Sequence, residues 1–510
     1  MTLPEIDPET AGELATRLGF GLDDSTRVSD EVNAELPAFE AAAEKFAPTA
    51  GTQHLAEFVF DPGSDDDPLN AFISTFELGR DSSGPLDDLE VGIKDNIAIA
   101  GAPMTSGSRV FESAIATRNA AVVDRLVDDG ATIVGKTNMD ELAYGPTSET
   151  SDYGPVPNPV DTDHVAGGSS SGSAAAVGAG VVDAALGSDT GGSVRIPASF
   201  CGVVGFKPTW GVVPRTGFVD LAYSLDHIGP LARDVETAAR VFDSIRGYDP
   251  ADPSSAIAGQ LGEQSATDAV REPPALDDLV FGIPSELVGD HLGDGVRSAF
   301  ARARSELEDA GAEIRDVSIQ RLESTVPLFN TIVPVELALN FLARAVPAFK
   351  RVAYDAAWQE AAAAAIESRG GEFGDIVQRK TVLGAYVLQE ANGRHYTRAR
   401  NECARLIEDV HASLESVDYL LAPTNAEPAP ELGEWQSADY SSDDSAPISI
   451  NTRPADLAGV PSLTVPGGDV DGLPVGIQIV GEKGSDAGVL AAGRTIEQHL
   501  DVEFTADRSE

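Results

Sequence analysis

Three stretches of this 510-residue sequence place a reactive side chain where the backbone looks tightly packed or tightly turned. Lys94 closes the apolar alternation of "LEVGIKDN", the serines Ser169 to Ser171 sit among glycines in "HVAGGSSSGSAAAVGAG", and Ser193 follows two glycines in "LGSDTGGSVRIP". A serine is a weak nucleophile until something accepts its proton, and histidine is the usual acceptor. None of the seven histidines lies in a comparable glycine-rich context; His164, five residues before Ser169, comes nearest. A desolvated, neutral lysine is an alternative base, so these residue types together point to acyl transfer by a serine. The two glycines before Ser193 let successive N–H groups converge on one point, the geometry of an oxyanion hole built from Thr190, Gly191, Gly192 and Ser193.

Each stretch also has a plain structural reading. A strand-end lysine can snorkel to solvent, a Gly/Ser stretch can be a linker or a helix cap, and "TGGS" can be a sharp turn before Pro197. The linker reading is the weakest of these, because a small-residue apolar run, Ala174 to Val182, follows the serines and reads as a tightly packed helix.

The elements that must hold these residues follow from hydrophobic periodicity. "PETAGELATRLGF" and "VNAELPAFEAAAEKF" have helical spacing, so residues 1 to about 75 read as a helical extension ending in the turn-rich "DPGSDDDPLN". From about 88 the pattern becomes strand, helix, strand: "LEVGIKDNIAIAG", then the amphipathic "NAAVVDRLVDDG", then "ATIVGK". That repetition predicts an α/β sheet. Residues 252–275 are polar and read as an exposed connection, followed by the strand "DLVFGIP", a helix over about 294–310 and helix-rich sequence to about 415. Strands return in "VDYLLAPT", "SLTVPGG" and "LPVGIQIVG", with a last helix near 486–500. The expected organisation is one catalytic domain over 76–510, carrying a helical insertion at about 310–415.

Composition narrows the classes. With 83 acidic and 35 basic residues the net charge is −48, which opposes a phosphate-binding face and suits solubility at high salt. Only seven residues are lysine, so one inside an apolar stretch stands out. Cys201 and Cys403 are too few and too scattered for a disulfide framework or a metal site. No apolar run of membrane length is evident, and the acidic "MTLPEIDPETAGEL" has no apolar leader core, giving the expectation of a soluble, cytoplasmic protein.

The motifs carry a resemblance. "GGSSSGSAAAVGAG" followed by "LGSDTGGSVRIPASFCGVVGFKPT" resembles the amidase signature family, as do "IKDNI", "GKTNMDE", "SLDHIGPLARDV", "DLAGVPSLTVP" and "GLPVGIQIVG", over about residues 68 to 500. It implies a large twisted mixed β-sheet flanked by helices, and hydrolysis of amides. Carried over by motif, Ser193 is the acyl-forming nucleophile, Ser169 the bridging serine after a cis Gly168–Ser169 bond, and Lys94 the base; no metal or organic cofactor is implied. Ser171 departs from the family, which often has glycine there, and the choice of Ser169 over Ser170 rests on the motif alone.

Within the family, "TNMDELAYGPTSETSDYGP" and "SFCGVVGFKPTWGVVPRTG" resemble the A subunit of a tRNA-dependent amidotransferase, which hydrolyses glutamine and passes ammonia on. The long helical extension, "DDDPLNAF" and "IAGAPMTSGSRVF" look more like free-standing amidases, the reading preferred on sequence. Arg379 falls near an arginine of the glutaminase subunit, while "APISINTRPADL" lacks the acidic residue expected upstream of its T-x-P. The expected partner is a small-molecule amide, with no nucleic acid bound directly, no membrane, and a homodimer as the one oligomer considered. A catalytically silent binding protein on the same fold is the remaining alternative.

Overall fold

The computed structural model describes residues 3–45, 55–79, 83–260, 264–343, 353–434, 446–502 and 504. The chain divides into two units, Met1–Ala50 and Gly51–Glu510. In the first, helix Pro8–Arg17 is capped by Asp7, whose carboxylate accepts the Thr10 N–H at 2.7 Å, and begins with a proline whose missing N–H costs nothing there. Helix Ser25–Lys45 packs against it, and the Asn33 amide clamps the backbone of Ile6 from both sides, accepting at 2.8 Å and donating at 2.9 Å.

The described residues of the second unit form twelve strands: β1 (Ala56–Phe60), β2 (Phe72–Leu78), β3 (Glu90–Lys94), β4 (Thr132–Thr137), β5 (Ala184–Asp189), β6 (Val204–Lys207), β7 (His227–Ala232), β8 (Val280–Pro284), β9 (Glu313–Val317), β10 (Tyr419–Pro423), β11 (Ser462–Val470) and β12 (Leu473–Val480). They form one sheet in the order β1-β2-β4-β3-β5-β7-β6-β11-β12-β10-β8-β9. It is mixed: β3 lies parallel to β4 and β5, whereas β7 runs antiparallel to β5 and β6. Every residue of β5 is buried, as expected of a strand covered on both faces. The edge strand β9, "EIRDV", carries charges outward, which blunts edge-to-edge pairing.

Residues 51–75 differ from expectation. β1 and the start of β2 already belong to the sheet, so the helical extension ends with the first unit and not at 75. The polar stretch 252–275 is also more than an exposed connection: helix Ala266–Arg271 buries Ala266 and Val270 and packs against helix Asp486–Leu500.

Helix Ser171–Gly178, "SGSAAAVG", is buried on every side, which its small residues permit. A Cβ at Gly172 would run into the carbonyl of Ala71, so only glycine lets the helix approach that closely. Between β9 and β10 the described residues form four α-helices, Thr325–Leu342, Ala356–Arg369, Asp375–Glu390 and Arg394–Leu414. The first and third cross where a Cβ on Gly384 would strike the Pro334 carbonyl. By length and composition Leu322–Leu342 is apolar enough to cross a membrane, contrary to the expectation that no run is. Half of it is buried inside the unit, and its Glu336 accepts hydrogen bonds from Ser224 and Tyr396, so it serves as a core helix.

Candidate active site

Among the described residues three lysines are fully buried, Lys94, Lys136 and Lys207, so an apolar context alone does not single out a base. Their partners do. Lys136 Nζ is 2.9 Å from the Asp95 carboxylate, and Lys207 donates to the carbonyls of Val460 and Pro208 at 2.6 and 3.2 Å. Lys94, at the end of β3, meets two hydroxyls, Ser169 Oγ at 2.8 Å and Ser170 Oγ at 2.9 Å, with the Ser188 carbonyl at 3.4 Å. Among the described residues no carboxylate lies within ion-pair distance of it. Burial brings its ammonium down to about 7, against the opposing pull of Asp140, Asp189 and Asp226 at longer range.

The serine loop is held from both ends. The Gly168–Ser169 peptide is cis. Gly168 N–H donates to the Pro146 carbonyl at 2.8 Å, and a Cβ there would strike the Asp140 carboxylate. Asp140, buried beneath the loop, accepts hydrogen bonds from Ser148 N–H, Thr150 N–H and Thr150 Oγ at 3.1, 3.1 and 2.7 Å. Ser169 and Ser170 then separate by their partners. Ser170 Oγ is woven into β5, donating to the Ser188 carbonyl and accepting the Ser188 N–H, both at 3.2 Å. It does not cap the helix that follows, so the cap reading does not hold for it. Ser169 Oγ has Lys94 as its hydrogen-bond partner, which leaves it able to exchange a proton on its other side.

Ser193 stands at the turn from β5 into helix Arg195–Cys201 and is 9% exposed. Its carbonyl accepts the Ser170 N–H at 3.2 Å, tying the two loops together. Asp189, the last residue of β5, organises the turn: its carboxylate accepts the N–H groups of Gly192 at 2.6 Å and Val194 at 3.2 Å and pairs with the buried Arg195 guanidinium. Arg195 continues to the Thr452 carbonyl and to Asp456, and Thr452 Oγ donates to the Gly191 carbonyl at 2.6 Å. Burial opposes ionisation of both carboxyls, but Arg195 holds Asp189 well below the usual carboxylate range while Asp456 is pushed well above it.

This turn revises one expected role. The Gly192 N–H is spent on Asp189, so it cannot serve an oxyanion, and the candidates are Thr190, Gly191 and Ser193. Gly192 is needed for its backbone instead, since its φ is +126° and a Cβ there would strike Thr452 Oγ. The Thr190 hydroxyl donates to Asp226 at 2.6 Å. The charges behind the turn were missed from sequence, although Asp189 and Arg195 flank "TGGSV" directly.

Ser193, Thr190 and Gly191 line a recess of about 550 Å³, together with Tyr144, Phe329, Lys380, Ser449 and Arg453. Arg379 does not line it: its side chain is half-exposed and pairs with Asp375 at 2.7 Å one turn earlier, and the next residue, Lys380, faces the recess instead. A larger cavity of about 910 Å³, walled by Phe111, Phe341 and Trp358, holds none of Lys94, Ser169 and Ser193. The described residues contain no cluster of His, Cys, Asp and Glu that could hold a metal ion.

Residues 71–490 match the family model described as Amidase. The chain is 43% identical over 439 residues to the A subunit of the glutamyl-tRNA(Gln) amidotransferase of Natronomonas pharaonis, covering 84% of this chain and 99% of that protein. It is 42% identical to the same-named subunit of Halobacterium salinarum, covering 84% and 100%. Among solved structures, the A subunit of the glutamyl-tRNA(Gln) amidotransferase of Thermotoga maritima is 31% identical with a TM-score of 0.69, covering 97% of this chain and 94% of that one. The peptide amidase of Stenotrophomonas maltophilia is 30% identical with a TM-score of 0.66, covering 84% and 85%. These names overturn the expectation about partners. Relatives named as one subunit of an amidotransferase for a glutamyl-tRNA belong to an assembly, so partners limited to a small-molecule amide and a second copy of the chain, with no nucleic acid, no longer stand.

Proposed function

Because this chain belongs to the amidase family, we propose that it cleaves a carboxamide C–N bond through an acyl-enzyme on Ser193, as the ammonia-releasing subunit of an assembly like those its A-subunit relatives are named for. Ser193 Oγ attacks the amide carbon; its proton passes to Ser169 Oγ, whose own proton passes to neutral Lys94 Nζ. The oxygen of the tetrahedral adduct takes the charge and is met by backbone N–H groups of Thr190, Gly191 and Ser193. The C–N bond breaks as the proton returns along the same path to the leaving nitrogen, so ammonia departs neutral. Water then attacks the ester, its proton relayed to Lys94; as this second adduct collapses, that proton returns to Ser193 Oγ and the released acid ionises to the carboxylate.

The observation that carries this reading is the 2.8 Å contact between the Ser169 hydroxyl and a buried lysine that has no carboxylate partner among the described residues. The assembly is supported by identity that runs over 99% of a relative bearing the subunit's name. A serine-reactive fluorophosphonate tests the chemistry. It should label Ser193, and Lys94→Met should slow labelling by a factor on the order of 10² or more, as loss of a general base does. Unlabelled Ser193, or labelling indifferent to residue 94, defeats the mechanism. For the assembly, ammonia release should rise when partner subunits of the relatives' kind are added; full activity of the chain alone, unchanged by them, defeats that part only.

A further inference from the structure

Thr190 carries a hydroxyl that neither the attack of Ser193 nor the proton relay uses, and its place is set by the sheet. β5 ends at Asp189 and β7 begins at His227, and these two residues lie opposite one another in the antiparallel ladder. One further step in that register sets Thr190 opposite Asp226, so their side chains are cross-strand neighbours where the chain leaves the sheet for the nucleophile's turn. The Thr190 hydroxyl donates to Asp226 Oδ1 at 2.6 Å, and the two residues are 2% and 1% exposed.

The same carboxylate holds a second element. Asp226 accepts the Ala222 N–H with both oxygens, at 3.1 and 3.0 Å, and its own N–H donates to the Ala222 carbonyl at 2.9 Å. An aspartate that only closed its own loop would stop there. The loop, residues 220–226, brings Leu221 to the recess that Thr190, Gly191 and Ser193 also line. Helix Thr325–Leu342 grips it from the far side: Asn340 donates to the Asp220 carbonyl at 3.1 Å, and Glu336 accepts the Ser224 N–H and hydroxyl at 2.9 and 2.6 Å. That helix also supplies Phe329 and Val333 to the recess. The wall at Leu221 is thus fixed to the helix, and Asp226 carries the tie from there to the turn.

We infer that Asp226 is a positioning residue for the reaction at Ser193. Through the Thr190 hydroxyl it aims the N–H groups of the oxyanion turn, and through Ala222 it sets the wall against which the substrate is seated. It acts through these two residues and not on the reacting atoms. Oδ1 accepts from both donors, so a shift of the wall is felt at the turn. This rests on the reading of Ser193 as the nucleophile. The two bonds bear on different quantities: the Thr190 bond acts on the charged adduct and hence on the chemical step, the Ala222 bond on the fit of the ground state.

The test uses the full chain at molar potassium chloride and about pH 8.5, above the transitions of Lys94 and Asp226 at about 7, with thermal midpoints confirming that each variant is folded. The probe is a serine-reactive fluorophosphonate, whose phosphoryl oxygen stands where the adduct's oxyanion would. Its inactivation is resolved into a limiting rate, kinact, and a half-saturating concentration, KI. Thr190→Val should lower kinact by about tenfold or more and leave KI within about twofold, and Thr190→Ser should restore most of the rate. Asp226→Asn keeps a partner for the Thr190 hydroxyl but turns an NH2 toward the Ala222 N–H whichever way the amide lies. KI should then rise by about threefold or more with kinact nearly kept. Asp226→Ala should show both losses, and adding Thr190→Val to it should lower kinact no further, which independent roles would not give.

In parallel, amide hydrogen exchange is read over 192–196, where the N–H groups of Gly192, Val194 and Ile196 are bonded, and over 220–224. Asp226→Ala should speed both stretches, and Thr190→Val the first alone. Additive losses of kinact in the double variant, or exchange over 192–196 indifferent to Asp226→Ala, overturn the inference. A wild-type chain that the probe does not label overturns the proposed reaction, while exchange that speeds in both stretches still upholds the tie between turn and wall.

Discussion

At the scale of single residues, the site turns on which protons move and when. Lys94 accepts a proton only when neutral, and burial places its transition at about 7. Below that pH the charged form dominates and cannot serve as base; above it the neutral form does. kcat/KM should therefore rise about tenfold per pH unit below about 7 and level off above it. Asp226, raised by burial to about 7, titrates in the same range, so the profile is also taken on Asp226→Asn, where the rise should persist. A flat profile from about pH 5.5 to 8.5 removes Lys94 from the role of base. The two serines give a second prediction. Ser169→Ala should slow acylation by a factor on the order of 10² to 10⁴. Ser170→Ala should act mainly on stability, by about 1–3 kcal/mol in urea unfolding, because it removes the hydroxyl that bonds the buried N–H and carbonyl of Ser188. The reverse pattern exchanges their roles. Lysine scarcity drew attention to Lys94, yet it fits Lys136 and Lys207 equally. What separates the three is the partner each meets across the sheet, a long-range fact that no local spacing encodes.

At the scale of elements, the nucleophile's turn depends on parts of the chain far from it in sequence. Thr452 holds the Gly191 carbonyl, Arg195 holds the Thr452 carbonyl, and Asp189 holds both Arg195 and the Gly192 N–H. Thr452→Val keeps the shape and removes the hydroxyl, freeing the Gly191 peptide to rotate. Acylation should then fall by a factor on the order of 10 to 10², in kcat and not in KM, since the loosened Gly191–Gly192 peptide lies between the N–H groups of Gly191 and Ser193, which are candidate oxyanion donors, and its play displaces them. A change confined to KM would assign Thr452 to substrate contact instead. The strand–helix–strand rhythm around β3 and β4 was readable because each quoted piece declares its period over six or more residues. Strand order was not, for β7 enters antiparallel between β5 and β6 through contacts that its own alternation cannot specify. β1 escaped notice because its five residues stand beside a turn-rich stretch and read as part of it.

At the scale of the whole molecule, the net charge of −48 sits on a chain with only seven lysines. Lys94, Lys136 and Lys207 are fully buried and Lys380 lines the recess, so cations facing the acidic exterior are mostly arginines. Paired surface charges contribute little, which leaves the unpaired carboxylates to repel one another across the fold. At about 0.1 M salt the screening length is about 10 Å, comparable to the spacing of neighbouring surface charges, and at about 1 M it shrinks to about 3 Å. Repulsion that destabilises the compact state in dilute buffer is thus largely removed at molar salt, while the buried Asp189–Arg195 pair, away from counterions, changes little. The thermal midpoint should climb by several degrees or more between about 0.1 and 2 M potassium chloride, with most of the climb below about 1 M where the screening length falls fastest. Chloride is chosen over sulfate because excluded anions strengthen apolar burial in any protein and would imitate the effect. A midpoint that stays level, or keeps rising at the same rate above 1 M, would mean that self-repulsion is not what limits this fold.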